Sequence, residues 1–220
     1  MTTEQAIQEI KAIADPRAIK IWERGGMDTS KYLGANLTGL KKIAKKIGRD
    51  NDLAMDIWRT GFHDAKLLAT YICEPKKVTE EQIDEWIEGV GFWDLADKFV
   101  SNTVAKTPFA QKKLGEWTKS EKEFVRRSGY MILHELAKSK KDSGVDFESW
   151  LPELEEAMTH GANFVRDGAN YALIAIGARS PELNARTIEI ADRAGDLGIV
   201  IGGSCQAPDA RNKLRDKNFK

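Results

Sequence analysis

Trp93 and Asp97 form the pair with the clearest chemical use in this sequence. Residues four apart share one face of an α-helix, so an indole ring would stand beside a carboxylate. An aromatic ring beside an acid suits a sugar that develops positive charge. The same spacing also fits a core tryptophan next to a solvated aspartate, and the pair alone does not decide between the two interpretations.

His63 and Asp64 form a doublet of the kind found in metal sites, but the sequence offers them no companions. The other two histidines, His134 and His160, lie on separate segments and not at ligand spacing. We therefore interpret His63 as a capping or packing residue and predict neither a metal nor a cofactor. The glycine-containing segment 202–204 lacks the lysine that a phosphate loop requires.

The cysteines and the remaining tryptophans are interpreted as structural. Cys73 and Cys205 are far apart in the sequence and lack metal-ligand spacing, so both are expected to be reduced thiols. Tryptophans other than Trp93 are most simply wedges between packed helices. They are Trp22, Trp58, Trp86, Trp117 and Trp150.

Signals for helix starts recur along the chain, whereas signals for strands almost vanish. Three hydroxyl residues are followed three positions later by Gln or Glu, as in capping boxes: Thr2–Gln5, Thr79–Gln82 and Ser120–Glu123. Glycine and proline breaks leave segments of roughly 10 to 18 residues. Only residues 197–201 resemble a strand, and they are too isolated to build a sheet. We predict an all-α fold.

An internal echo indicates that these helices form repeats. Phe124–Arg126, followed by Leu133, returns 40 residues later as Phe164–Arg166, followed by Leu173. HEAT-type helix pairs repeat at about 40 to 47 residues, so the echo favours a curved solenoid. The arginines of the two copies would line one side of the curve. A basic groove of that kind suits duplex DNA, because Arg and Lys hold its phosphates.

Composition indicates a globular protein and limits its partners. The 220 residues are 41% hydrophobic and 31% charged, and no apolar run approaches the roughly 20 residues of a membrane span. The first residues lack the features of a secretory signal, so we expect a cytoplasmic protein.

The formal net charge of +0 argues against a protein whose whole surface is basic. Charge is nevertheless segregated, although a cluster can also be the solvated side of a helix. The early basic cluster comprises Lys41, Lys42, Lys45, Lys46 and Arg49.

Taken in order, the motifs resemble those of the AlkD-like DNA alkylation-repair proteins. Members of that family are HEAT-like helical solenoids and include glycosylases for alkylated purines. The strongest match is Trp93-Asp94-Leu95-Ala96-Asp97, and the likeness runs through most of the chain. The other matching stretches include Tyr32-Leu33-Gly34, Ile57-Trp58, His63-Asp64, Phe124-Val125-Arg126-Arg127, Phe164-Val165-Arg166 and Asn170-Tyr171-Ala172-Leu173.

The resemblance implies a right-handed α-solenoid of HEAT-like antiparallel helix pairs with a concave groove, formed by one domain over residues 1–220. It makes Asp97 the catalytic carboxylate and Trp93 an aromatic wall against the deoxyribose of the damaged nucleotide. A second wall falls on Tyr171, where catalytically competent members carry tryptophan. Arg127 would hold a backbone phosphate. The wider set of predicted DNA-binding residues is Arg126, Arg166, Lys41, Lys42 and Lys45.

The activity implied is hydrolysis of the N-glycosidic bond of purines alkylated at N3 or N7 in duplex DNA. A cationic base departs neutral, so one carboxylate that stabilises the oxocarbenium-like sugar suffices. Two alternatives stay open: a DNA-binding relative without excision activity, and a helical scaffold for a protein partner. We expect a monomer whose basic residues from about 205 onward form a frayed, solvated tail.

Overall fold

The computed structural model describes residues 1–139, 141–202 and 205–219, and its regular structure there is helical apart from two short strands. The all-α prediction is thereby confirmed. No helix in the described ranges combines the length and apolar character needed to cross a membrane. In chain order the helices are α1 (Thr3–Ala12), α2 (Pro16–Arg24), α3 (Leu37–Ile47), α4 (Asn51–Arg59), α5 (His63–Ile72), α6 (Glu80–Glu88), α7 (Trp93–Asn102), α8 (Ala110–Trp117), α9 (Glu123–Lys138), α10 (Leu151–His160), α11 (Asn163–Gly177), α12 (Pro181–Ala194) and α13 (Ala210–Arg215).

The strand-like stretch at 197–201 yields only a minor element. Strand β1 (Val200–Gly202) pairs with β2 (Cys205–Gln206) in a two-stranded sheet. Two 3-10 turns, Val104–Lys106 and Glu148–Trp150, complete the regular structure of the described residues. The helices therefore carry the fold, as expected from the scarcity of strand signals.

Local sequence explains where α1 begins, but tertiary contacts decide the start of α9. Thr2 and Gln5 form the predicted capping box, in which each side chain bonds to the other's backbone N–H. The predicted box at Ser120 is wrong, because α9 begins at Glu123 and Ser120 does not cap it. The Glu123 carboxylate instead accepts the N–H of Phe164 at 2.8 Å, which links α9 to α11.

The helices form two compact units, and each unit has its own centre. In the first, Met1–Thr107, α5 packs against α1, α3, α4 and α7, and eight of its residues are buried. In the second, Pro108–Ile201 with Cys205–Lys220, α9 and α11 pack along each other. The predicted domain of residues 1–220 therefore contains two packing units.

The 40-residue echo corresponds to helices α9 and α11, and equivalent residues of its two copies touch. The ring centroids of Phe124 and Phe164 lie 5.3 Å apart. One turn further along, Arg127 pairs with Asp167, again 40 positions later. Contacts between equivalent positions mean that the two helices run parallel, as the second helices of successive repeats do.

The C-terminal residues do not form the frayed tail that their basic composition predicted. Helix α13 is capped by Asp209 and packs on α11 and α12. Ala210 and Leu214 are buried on it, with 5% and 1% of their surface exposed. Asn170 also donates to the carbonyl oxygen of Pro208 at 2.8 Å. Two apolar residues four apart thus give this short helix a buried face, and its cations lie elsewhere on the helix.

The start of α5 fixes the segment between α2 and α3. The His63 N–H donates to the carbonyl oxygen of Lys31 at 2.8 Å. The Asp64 carboxylate accepts the N–H groups of Leu33 and Ala35, each at 2.6 Å. Asp64 is fully buried; burial raises the pKa of its carboxyl, and the two amide donors oppose that rise. Segment 31–35 is thereby held against α5.

The same segment is tied to the start of α2. The Asp15 N–H donates to the carbonyl oxygen of Gly34 at 3.0 Å, and the Asp15 side chain caps α2. Gly34 has a φ of +93°, and a Cβ there would lie 2.8 Å from the Asp15 carbonyl oxygen. Only glycine fits this position without strain, so the sequence Leu33-Gly34-Ala35 places α2 as well as α3.

We expect Asp64→Asn to lower the free energy of unfolding by about 1–3 kcal/mol, because an amide NH₂ cannot accept and one buried N–H loses its partner. The measurement is denaturant unfolding, with the exposed Asp56→Asn on α4 as the matched control. Equal midpoints for the two variants would show that the carboxylate does not hold the segment.

Candidate functional site

Helix α7 presents Trp93 and Asp97 to one pocket, in agreement with their four-residue spacing. The pocket has a volume of about 460 Å³, and all its lining residues belong to the first unit. Both side chains are partly exposed. The volume lies in the range of small-molecule sites, and we call this cavity the α7 pocket.

Helix α2 brings a further tryptophan to the α7 pocket. Trp22, predicted to be a core wedge, is instead partly exposed and lines the pocket. Its ring centroid lies 5.9 Å from that of Trp93, with 56° between the planes, and 5.9 Å from that of Phe92. No residue of α2 is buried, so α2 serves as a wall and not as core. Among the other predicted wedges, Trp58, Trp86 and Trp117 are buried and Trp150 is partly exposed.

Tyr32 lies in the segment held by α5 and closes another side of the pocket. Its ring meets the His63 ring edge-on, with centroids 5.7 Å apart. Burial, together with the charges of Asp64 and Asp94, raises the pKa of the Tyr32 hydroxyl far above its usual range. Tyr32 therefore stays neutral and adds an uncharged aromatic surface.

A second carboxylate, Asp94, also lines the α7 pocket, and both of its oxygens are bonded. Asp94 Oδ2 lies 3.0 Å from His63 Nε2, and Oδ1 accepts the N–H of Leu95 at 2.8 Å. His63 is 8% exposed and joins the start of α5 to the start of α7. Within the described ranges, no three side chains of the metal-binding types group together. His63 therefore packs against Tyr32 and bonds to Asp94 beside the pocket.

The cysteine prediction can be compared with the structure only for Cys73. This thiol is buried, its Sγ lies 3.0 Å from Thr103 Oγ1, and burial raises its pKa. A thiol in that position is structural. The side chain of Cys205 and the segment 203–204 lie outside the described residues.

The predicted DNA-binding lysines lie on the helix that also lines the α7 pocket. Lys41, Lys42 and Lys45 are exposed on α3, whose first residues, Leu37 and Thr38, line the pocket. The first turn of α3 therefore belongs to the pocket, and its later turns carry positive charge.

The predicted residues of the second unit differ in how accessible they are. Arg126 is partly exposed, with its guanidinium carbon 6.0 Å from the centroid of the Tyr130 ring. Arg166 is also partly exposed and donates through Nε to the carbonyl oxygen of Met158 at 2.9 Å. Tyr171 is partly exposed on α11, and its ring meets the His134 ring edge-on. That Tyr171 faces the deoxyribose stays a prediction.

The family model described as DNA alkylation repair enzyme matches residues 6–194. The chain belongs to the DNA alkylation repair enzyme family. Two relatives from Listeria are similar along almost their whole length. The chain is 27% identical over 217 residues to an uncharacterized protein of Listeria innocua serovar 6a, covering 96% of this chain and 94% of the relative. It is 25% identical, with the same coverage, to an uncharacterized protein of Listeria monocytogenes serovar 1/2a.

A solved structure confirms the helical-repeat fold of this DNA alkylation repair family member. It superposes with a TM-score of 0.83 at 24% identity, covering 98% of this chain and 93% of the other. That protein is described as one of a new family related to the HEAT-like repeat DNA glycosylases, with affinity for branched DNA structures. At this identity the likeness shows the fold, and the HEAT-like prediction is confirmed.

Arg127 does not occupy the phosphate-binding position that the resemblance implied for this family member. Its side chain is fully buried, and its Nη1 lies 2.6 Å from Asp167 Oδ2 and 3.1 Å from the carbonyl oxygen of Phe164. Both side chains of this ion pair are 0% exposed, so the guanidinium cannot reach a phosphate while the pair persists. The charge of Arg127 joins α9 to α11.

We expect Arg127→Met to lower the free energy of unfolding by about 3–5 kcal/mol, because it leaves the Asp167 carboxylate buried without its cation. The double variant Arg127→Met/Asp167→Leu should recover most of that loss. The control, Arg186→Met, breaks an exposed ion pair with Glu148 and should cost less than about 1 kcal/mol. Unchanged stability together with weaker DNA binding would return Arg127 to the phosphate-binding role.

Proposed function

We propose that this family member is a DNA glycosylase that releases cationic purines, alkylated at N3 or N7, from duplex DNA. The observation that carries the proposal is the α7 pocket, where the Asp97 carboxylate shares a cavity with the rings of Trp93, Trp22 and Tyr32. An acid that shares a cavity with aromatic rings suits a reacting centre that becomes positive. The cavity has the size for a deoxyribose and part of its base.

The proposed reaction breaks the bond between C1′ of the sugar and the purine nitrogen. The bonding electron pair leaves with the base and neutralises its positive charge, so no general acid is needed. Asp97 stabilises the positive charge that grows on the sugar, more strongly in the transition state than in the ground state. Water then attacks C1′, and its proton passes to Asp97 or to solvent. Neutral damaged bases such as uracil would stay intact.

The difference in exposure favours Asp97 over Asp94 as the catalytic carboxylate. Asp94 is 9% exposed and is bonded to His63 and to the Leu95 amide, so it supports α7. Asp97 lies one turn later on the same helix and is more exposed. A carboxylate must approach the sugar closely to stabilise it, because the Coulomb energy falls with distance. We assign Asp94 to positioning and Asp97 to catalysis.

The aromatic residues would enclose the sugar and exclude water. Trp93 and Trp22 stand with their rings inclined, which gives two surfaces of different orientation. The resemblance assigns a further aromatic face to Tyr171, and a tyrosine offers less area than the tryptophan found in active members of the family. Binding of the duplex itself would rest on Lys41, Lys42 and Lys45, assisted by Arg126 and Arg166.

A second candidate function is the binding of branched DNA without excision of a base. The observation in its favour is the solved relative with affinity for branched DNA structures, which has the same fold over 98% of this chain. Tyr171 in place of tryptophan is consistent with that alternative. The two candidates differ in one respect that can be measured, since only the glycosylase depends on the Asp97 carboxylate.

We expect the wild type to release 7-methylguanine from methylated duplex DNA, and Asp97→Asn to be at least about 100-fold slower, as when one stabilising group of a transition state is removed. Affinity for the duplex should be retained by the variant. The exposed Asp52→Asn on α4 serves as the matched control and should keep full activity.

The outcomes separate the candidate functions. Release by the wild type and not by Asp97→Asn supports the glycosylase. If neither protein releases the base but both bind a four-way junction more tightly than a duplex, branched-DNA binding replaces it. If neither binds DNA, the interpretation as a scaffold for a protein partner gains support.

We further expect Trp22→Ala to lower kcat/KM for 7-methylguanine release roughly 2- to 30-fold, the equivalent of about 0.5–2 kcal/mol for one cation–π contact. Trp22→Phe should recover part of that loss. The control is Ile21→Ala on the same helix, because Ile21 is 55% exposed and does not line the pocket. Equal rates for the two alanine variants would remove Trp22 from the site.

A further inference from the structure

The first unit contains a second hollow, which is lined by three cations. Lys41, Lys45 and Arg49 line it together with Tyr71 and Gly48, around a volume of about 270 Å³. Its described lining residues include no carboxylate. A concave surface with charge of one sign concentrates the electric field, so this cationic hollow attracts an anion.

Two hydrogen bonds hold Arg49 in place before any ligand arrives. Its Nη1 donates to the carbonyl oxygens of Tyr71 and Cys73, at 3.1 and 2.6 Å. These carbonyl groups lie at the C-terminal end of helix α5. The partial negative charge of a helix C-terminus favours a cation there. A fixed guanidinium loses less entropy on binding a ligand than a mobile one.

Tyr71 forms an uncharged side of the cationic hollow. Lys41 Nζ lies 5.9 Å from the centroid of its ring. Burial raises the pKa of the Tyr71 hydroxyl, so no phenolate competes with an incoming anion. At this distance the ring attracts the Lys41 ammonium weakly.

Gly48 explains why Arg49 returns beside the lysines of α3. It ends the helix with a φ of +82°, a conformation that favours glycine. The chain turns sharply there, so the residue after Gly48 lines the same hollow as Lys45. On the neighbouring stripe of α3, Lys46 is instead paired with Glu9.

One helix connects the cationic hollow to the α7 pocket. Leu37 lines the pocket, and Lys41 and Lys45 follow it on the same stripe of α3 by one and two turns. Each step of four residues advances about 6 Å along the axis. The two lysines therefore lie about 6 and 12 Å beyond the pocket wall, measured along α3.

We infer that the cationic hollow binds a backbone phosphate of the strand whose damaged nucleotide occupies the α7 pocket, an inference that rests on the proposed function. For a duplex whose axis runs along α3, one strand advances about 3.4 Å per nucleotide, which puts this phosphate about two to four nucleotides from the damaged one. Contacts to phosphate set the register of a protein on DNA. The hollow thus positions the damaged nucleotide at Asp97.

The test uses a short duplex with a tetrahydrofuran abasic-site analogue in one strand. Each phosphate of that strand is replaced in turn by an uncharged methylphosphonate, and the dissociation constant is measured. With the wild type, one or two positions about two to four nucleotides from the analogue should lose affinity. Lys41→Gln/Lys45→Gln should bind more weakly and be insensitive at those positions. The slope of log affinity against log salt concentration should become shallower by about 0.9 for each phosphate that this variant no longer neutralises.

The matched control is Lys11→Gln/Lys20→Gln, which removes the same charge from exposed positions on α1 and α2. It should keep the wild-type pattern of sensitive positions. Three results would overturn the inference: the same pattern in both double variants, a pattern without preferred positions, or binding of inorganic phosphate alone with no dependence on position in DNA.

Failure of the proposed function is seen separately, through release of 7-methylguanine by the same proteins. Position-specific sensitivity without release keeps the phosphate site and removes the glycosylase. Release of the base by the wild type, with no position-specific effect of Lys41→Gln/Lys45→Gln, keeps the glycosylase and removes the phosphate site.

Discussion

The candidate site depends on the bonds that the first two residues of α5 make to the segment before α3. The His63 amide and the Asp64 carboxylate bind three backbone groups of residues 31–35, and the His63 ring bonds to Asp94 on α7. A buried carboxylate is stable only when donors replace its water, and the two amides do so here. Helices α2, α3 and α7 thereby acquire their places around one pocket, so a doublet that resembles a metal motif has an architectural role.

Three aspartates near the pocket illustrate how surroundings divide one residue type among different tasks. Asp64 is fully buried and bonded to amides, whereas Asp94 is nearly buried and bonded to a histidine. Asp97 is partly exposed on α7 and lines the pocket. Burial, together with the charges of Asp64 and Asp94, raises the pKa of Tyr32, so that wall of the pocket is uncharged. In the proposed function, two carboxylates thus maintain the structure in which the third acts on the sugar.

Periodicity in the sequence predicted those features that depend on neighbours along one helix. The spacing of Trp93 and Asp97 predicted that they share a helix face, and both line one pocket. The 40-residue repeat predicted stacked helix pairs, and its two copies correspond to the parallel helices α9 and α11. Features that depend on distant partners were missed. Trp22 lines the pocket from α2, whose start is hydrogen-bonded to segment 31–35, and no local sequence pattern encodes that contact. The pairing of Arg127 could have been predicted from the sequence, since Asp167 lies at the equivalent position of the next repeat.

Neutral net charge is compatible with DNA binding, because phosphates respond to charges within about a Debye length, roughly 8 Å at physiological ionic strength. On α3 the cations are exposed or face a hollow, and they can act on a ligand. In the second unit the charge of Arg127 is neutralised by an internal partner. A count of basic residues therefore overstates the number of cations there that could contact a ligand. In the proposed complex, affinity and register depend on the cations that share a helix with the pocket, and α3 carries such cations.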